Sequence, residues 1–282
     1  MTKPVPRIDH VLINVNDRLD EAARAYERLG FVLTPRGHHS LGSSNHLAIF
    51  GHDYLELLGY EPRNAARAAG VWGDLTGLTG LVFKTDDADA LYADFSARRI
   101  PLKDAAPLAL SRPVDLPDGT VREARFRTVH LDPAADESGR IFFCQHLDLD
   151  LVWREEWQHH ANSVTGIARV VIAARDPARS IRLLADALGT ERIEPIDGGH
   201  RFRAEGAHID YLLPDAARAE FGETLPAGID AADRKVALVL KTASREAARQ
   251  VLQANGVTFR TQPDGALLVP AALAEGVALA FA

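Results

Sequence analysis

Apolar positions along this chain fall into short β-branched runs separated by stretches of helical period. Ile8, Val11, Leu12, Ile13 and Val15 make the first run, which predicts a strand over Asp9–Val15. A helix-period stretch from Leu19 to Leu29 follows, and Gly30 closes it. Extended segments are expected around Phe31–Pro35, His46–Phe50 and Tyr54–Leu58. The order then recurs, with a strand at Leu81–Thr85, a helix at Ala88–Arg98 and three extended stretches ending at Ile141–His146. Strand, helix and three strands form the predicted unit, which places the chain in the α+β class.

The chain also repeats itself. Ile8–Asp17 aligns with Ile167–Asp176, with Ile8, Val11, Ile13 and Asp17 each meeting an identical residue, and the match runs without a gap to Leu29-Gly30 opposite Leu188-Gly189. Leu81-Val82-Phe83-Lys84-Thr85 likewise faces Leu238-Val239-Leu240-Lys241-Thr242. A tandem duplication follows, with one half over 1–150, a linker over 151–164 and a second half over 165–282. Each half holds two units, four in total. Trp153 and Trp157 in the linker read as packing between the halves.

Composition narrows the function. Across 282 residues, Lys and Arg number 32 against 39 Asp and Glu, a net charge of −7, which argues against a nucleic-acid partner. No apolar run reaches bilayer length, so no membrane partner is expected. The opening residues carry no apolar h-region, and the expected compartment is the cytoplasm. The single cysteine, Cys144, excludes an internal disulfide and reads as a small buried apolar residue. Asp86, Asp87 and Asp89 read as a helix N-terminus rather than a calcium loop.

The βαβββ order, together with Ile8-Asp9-His10-Val11, Leu29-Gly30-Phe31, Gly42-Ser43-Ser44-Asn45-His46, Tyr54-Leu55-Glu56-Leu57 and Phe142-Phe143-Cys144-Gln145, resembles the vicinal oxygen chelate superfamily. That superfamily includes glyoxalase I, bleomycin-resistance proteins and extradiol dioxygenases, and the likeness is greatest to its glyoxalase-like domain branch. The resemblance implies paired units forming two cup-shaped sheets. It also implies a divalent metal (Fe, Mn, Ni, Co or Zn) held by side chains of the first and last strands. Position by position, it makes His10, Glu56 and Gln145 the metal ligands, Phe143 sharing the parity of Gln145. The remaining ligand position falls on Gly80, which has no side chain. Glu56 is also the candidate for moving a proton, and Asn45, His46 and His38 are the candidate substrate contacts. His38, His39, His46 and His146 are the imidazoles available to complete the set.

In the second half Arg169 stands where His10 does, Asp210 roughly where Glu56 does, and Ala237 where Gly80 does. That half is expected to be degenerate, with the active cup N-terminal. The resemblance implies a metal-dependent enzyme acting on a small oxygenated metabolite, of isomerase, lyase or dioxygenase type. The rival expectation is a metal-free binding protein of the bleomycin-resistance kind, which the vacancies favour. A homodimer is left open.

Overall fold

The computed structural model describes residues 5–66, 75–116 and 118–282. The first half runs β1 (Ile8–Asn16), α1 (Leu19–Arg28), β2 (Gly37–His38), β3 (Ser43–Ile49), β4 (Tyr54–Tyr60), β5 (Gly77–Lys84), α2 (Ala88–Ala97), β6 (Leu108–Asp115), β7 (Val121–His130) and β8 (Arg140–His146). These strands form one sheet in the order β2-β3-β4-β1-β5-β8-β7-β6. β1 lies parallel to β4 and antiparallel to β5.

The second half repeats that order strand for strand. It comprises β9 (Val164–Ala173), α3 (Pro177–Ser180), α4 (Arg182–Leu188), β10 (Ile193–Ile196), β11 (Gly199–Ala204), β12 (Ala207–Leu212), α5 (Pro214–Phe221), β13 (Arg234–Thr242), α6 (Arg245–Ala254), β14 (Arg260–Thr261), β15 (Leu267–Val269) and β16 (Ala278–Phe281).

Local sequence explains the elements. Leu19, Ala22 and Tyr26 are the buried stripe of α1, a spacing of three and four residues that keeps them on one face. Gly30 ends that segment at φ +90, where a side chain would be strained. Asp87 caps α2 by accepting from the Ala90 N–H. The expected strand at Phe31–Pro35 does not form. Pro35 has no N–H to give, and only Thr34 ties the segment to β3, through its N–H to Leu47 O at 2.9 Å and its Oγ1 from Leu47 N–H at 3.0 Å. Pairing resumes at β2.

The first sheet curls until its ends meet. The Ser40 N–H donates to Ser111 O at 2.9 Å, and the Ser111 N–H donates to Ser40 Oγ at 3.2 Å, which brings the loop after β2 against β6. A nearly closed cup results.

Apolar side chains collect in three places. One core spans the backs of both sheets and the helices between them, including Val11, Ile13, Leu55, Tyr26, Phe95, Val170, Ile172 and Phe281. A second lines the first cup, among it Leu12, Leu47, Tyr54, Phe126 and Phe142. The third fills the second cup, where Ala217 and Phe221 of α5 pack against Val171, Ala237 and Ala280.

Polar ties also cross between the halves. Asp53, in the turn before β4, accepts from the Ile167 N–H at 3.0 Å. Burial raises its carboxyl to about 7, against the opposing effects of the Ile167 hydrogen bond and of Lys241 and Lys84. Lys235, 1% exposed, donates to Ser138 O at 3.0 Å.

Candidate functional site

A cavity of about 350 Å³ occupies the first cup. His10 and Leu12 of β1, Tyr54, Glu56 and Leu58 of β4, and Phe142 and Cys144 of β8 line it, as strand alternation requires. Asn45 and Leu47 of β3, His39, and Arg112 of β6 complete the inner wall.

A bulge in β1 sets up the chemistry. Ile8 pairs with Phe83 and His10 with Val82, so Asp9 is the extra residue and its carboxylate turns to the cup side. Asp9 is 0% exposed. Its Oδ2 lies 2.6 Å from His10 Nδ1 and 2.9 Å from His146 Nε2, and its Oδ1 lies 3.4 Å from Lys84 Nζ. Burial alone would raise this carboxyl, but His146 and His10 outweigh burial and hold it far below the usual range. An ionised Asp9 can only accept, so both imidazoles donate to it.

The other ring nitrogen of His10, Nε2, points at Glu56. Tyr54 stacks on the ring with centroids 4.4 Å apart and fixes its plane. His10 Nε2 stands 3.4 Å from Glu56 Oε2, beyond the usual N–H···O range. Asn45 Nδ2 donates to Glu56 Oε1 at 2.8 Å and approaches His39 Nε2 at 3.3 Å. His39 Nε2 lies 3.9 Å from the same Glu56 oxygen. Burial lowers the His39 pKa, Glu56 opposing and Arg112 assisting, so at neutral pH its ring is uncharged, with Nδ1 beside Ser43 Oγ at 2.8 Å.

The donor set can be tested against a metal. Two ligands about 2.1 Å from one tetrahedral ion stand about 3.4 Å apart, which is the His10–Glu56 separation. Asp9 behind His10 supplies the carboxylate that metal-binding imidazoles characteristically have on their other nitrogen. The Asn45 Oδ1 is buried without a hydrogen-bond partner, while the Nδ2 of the same amide is the atom turned to Glu56. These residues fit a divalent ion. A second grouping, Asp9, Cys144 and His146, also lies within ligand range. There burial, reinforced by Asp9 and Glu56, pushes the Cys144 thiol up, and Asp9 is already committed to two imidazoles.

Three sequence expectations need correction. Gln145 is not in the cup: Phe142, Cys144 and His146 take the inner face of β8, and Gln145 points outward. There its Oε1 accepts from the Ala88 N–H at 3.1 Å and its Nε2 donates to Asp86 O at 2.7 Å, capping α2. His46 alternates away from Asn45, and its Nδ1 meets Thr34 O at 2.8 Å on the outside of the sheet. His38 is half exposed, 3.0 Å from Ser44 Oγ, in a shallow surface hollow with Arg36 and Glu61. Of the proposed contacts, the structure brings Asn45 together with His10 and Glu56.

Gly80 also has a physical reason. A Cβ there would lie 2.2 Å from Leu12 Cδ1, so Leu12 occupies the space that a side chain from β5 would need.

Asp9, His39, Tyr54 and Arg112 were not among the residues singled out, although His39 was one of four imidazoles in question. A carboxylate inside Ile8-Asp9-His10-Val11 and an arginine sharing parity with Leu108, Leu110 and Val114 were the available signals.

The second cup is closed by its own residues. Arg169 reaches Asp210 Oδ2 at 3.1 Å and pairs with Glu220 of α5, while Arg201 grips Asp210 at 2.7 and 2.8 Å. A guanidinium stands where the first half has an imidazole, and α5 lies over it.

The sequence matches the glyoxalase-like domain family over residues 8–188. This chain belongs to that family. As a glyoxalase-like protein it has the fold of the vicinal oxygen chelate superfamily, and solved structures share it. A hypothetical protein from Staphylococcus aureus superposes with a TM-score of 0.67 at 12% identity, covering 99% of both chains. A mutant of 4-hydroxymandelate synthase from Streptomyces coelicolor gives 0.56 at 14% identity, covering 93% of this chain and 78% of that one. A xylose isomerase-like TIM barrel/4-hydroxyphenylpyruvate dioxygenase fusion protein gives 0.51 at 10% identity, covering 100% of this chain and 50% of that one. At such identities the likeness is one of fold. No curated protein matches the chain. Among the described residues, no helix is long and apolar enough to cross a membrane.

Proposed function

We propose that the N-terminal cup of this glyoxalase-like protein is the active site of a metal-dependent enzyme acting on a small oxygenated metabolite. The observation that carries the reading is the His10 Nε2–Glu56 Oε2 pair, 3.4 Å apart in the cavity wall with Asp9 hydrogen-bonded behind the imidazole. His10 and Glu56 would hold the ion, with the Asn45 amide beside them. A divalent ion bound there supplies Lewis-acid polarisation of substrate oxygens. Asp9 keeps the His10 Nε2 aimed into the cup, and the Tyr54 ring stops the imidazole from turning. Neutral His39, 3.9 Å from Glu56, is placed to exchange a proton with that carboxylate. Leu12, Phe126 and Phe142 keep bulk water from the reacting atoms.

The second reading, a metal-free ligand-binding cup, is favoured by Leu12 over Gly80 and by Gln145 on the outer face, which leave two of the expected ligand positions without a donor in the cup. Elemental analysis decides between them. Wild-type protein purified without chelator is expected to carry near-stoichiometric iron, manganese, nickel, cobalt or zinc, and His10→Ala/Glu56→Ala to carry none. A wild type that binds no metal after reconstitution overturns the enzyme reading.

A further inference from the structure

Arg112 has no place in the chemistry above, yet it faces the same cavity. It is 3% exposed and lies on the inner face of β6, where the ends of the curled sheet meet. Its Nη2 is buried with no hydrogen-bond partner, and no carboxylate among the described residues lies within ion-pair distance of its guanidinium. Burial lowers its pKa, with Tyr54 and Glu56 opposing, but a guanidinium stays protonated at any physiological pH. An uncompensated buried cation of this kind is costly.

The surroundings make room for that guanidinium. Gly37 of β2 lies against both it and Asn45: a Cβ there would stand 2.4 Å from Asn45 Oδ1, 3.1 Å from Arg112 Nη1 and 3.2 Å from Arg112 Cδ. Lys103 also lines the cavity, and Glu56 is the one acidic residue among its described lining. His130 is pushed down to about 3, by burial first and then by Lys103 and Arg140, and so adds no charge. Electrostatically the cup suits an anion.

We propose that Arg112 is the anion-recognition residue of this cup and takes a carboxylate of the substrate. The planar fork of a guanidinium matches a carboxylate in two parallel hydrogen bonds. A single fork suits a planar monoanion, not a phosphate dianion. Resting on the proposed function, the substrate class becomes a small carboxylic acid, its charged end at Arg112 and its other oxygens toward His10 and Glu56.

The test is calorimetric titration of metal-stripped protein with benzoate and with benzamide, planar probes of one shape that differ in charge. Wild-type protein is expected to bind benzoate, and benzamide roughly 30-fold or more weakly, the loss typical of one partner missing from a buried charge pair. Arg112→Met is expected to bring the two probes within about twofold of each other, with benzamide binding unchanged and thermal stability raised by loss of the lone charge. Arg112→Lys keeps the charge without the fork and should retain an intermediate preference.

Equal binding of both probes to wild type, no benzoate binding, or a preference surviving in Arg112→Met overturns the proposal. Inorganic phosphate outcompeting benzoate overturns the choice of carboxylate. The metal reading fails separately. If wild type and His10→Ala/Glu56→Ala are equally free of metal yet both prefer benzoate, the anion assignment stands without it.

Discussion

Asp53→Asn should change how stability depends on pH, and by a calculable amount. The Asp53 carboxyl is 8% exposed and accepts the Ile167 N–H, a tie between the two halves. Burial raises it from the ordinary 3.8 to about 7. Between those values the unfolded chain has released this proton and the folded chain holds it, so folding stability falls as pH rises. The contribution is complete below pH 3.8, declines by about 1.4 kcal/mol per pH unit, and is gone above about 7. The window of roughly three units corresponds to about 4 kcal/mol. An asparagine keeps the acceptor oxygen and never ionises. The variant should therefore match wild type near pH 4 and exceed it by about 4 kcal/mol at pH 8. Urea unfolding of both proteins at pH 5, 6, 7 and 8 measures the difference, and subtraction cancels every other titrating group. A difference that stays constant across that range, or shrinks as pH rises, refutes the argument that burial dominates at Asp53.

Two further outcomes test the cup itself. Asp9→Asn removes the charge between His10, His146 and Lys84, which should cost about 3 kcal/mol or more in urea unfolding and weaken metal binding by roughly 10- to 100-fold in a chelator competition. Gly80→Ala should cost about 1–3 kcal/mol by overpacking against Leu12, and Leu12→Ala in the same chain should restore part of that loss; thermal unfolding of the single and double variants reads both.

The strand order was legible because apolar alternation survives in both copies: Ile8, Val11 and Ile13 against Ile167, Val170 and Ile172 mark β1 and β9 directly. His10 and Glu56 were legible for a related reason, since each is a polar residue interrupting an inward-facing apolar strand. Gln145 misled because ligand chemistry was matched to a position whose parity a single sequence leaves ambiguous. A slip of one residue turns Gln145 outward and brings Cys144 and His146 in. The same alternation separated Asn45 from His46. Asp9 was hidden by the bulge, which breaks the period on which face assignment depends. Arg112 shared the parity of Leu108, Leu110 and Val114, but its place in the first cup could not be read, because β6 meets the loop after β2 only once the sheet has curled.

Behind both sheets lies one shared apolar wall. Removing residues 165–282 would take Val170, Ile172 and Phe281 out of that wall and open apolar surface on the first half. The concave side of the second half is filled by α5, with Phe221 inserted and Arg169 bound to Glu220. The duplicate has become a buttress: a chain that carries two copies of the fold should saturate at one ligand.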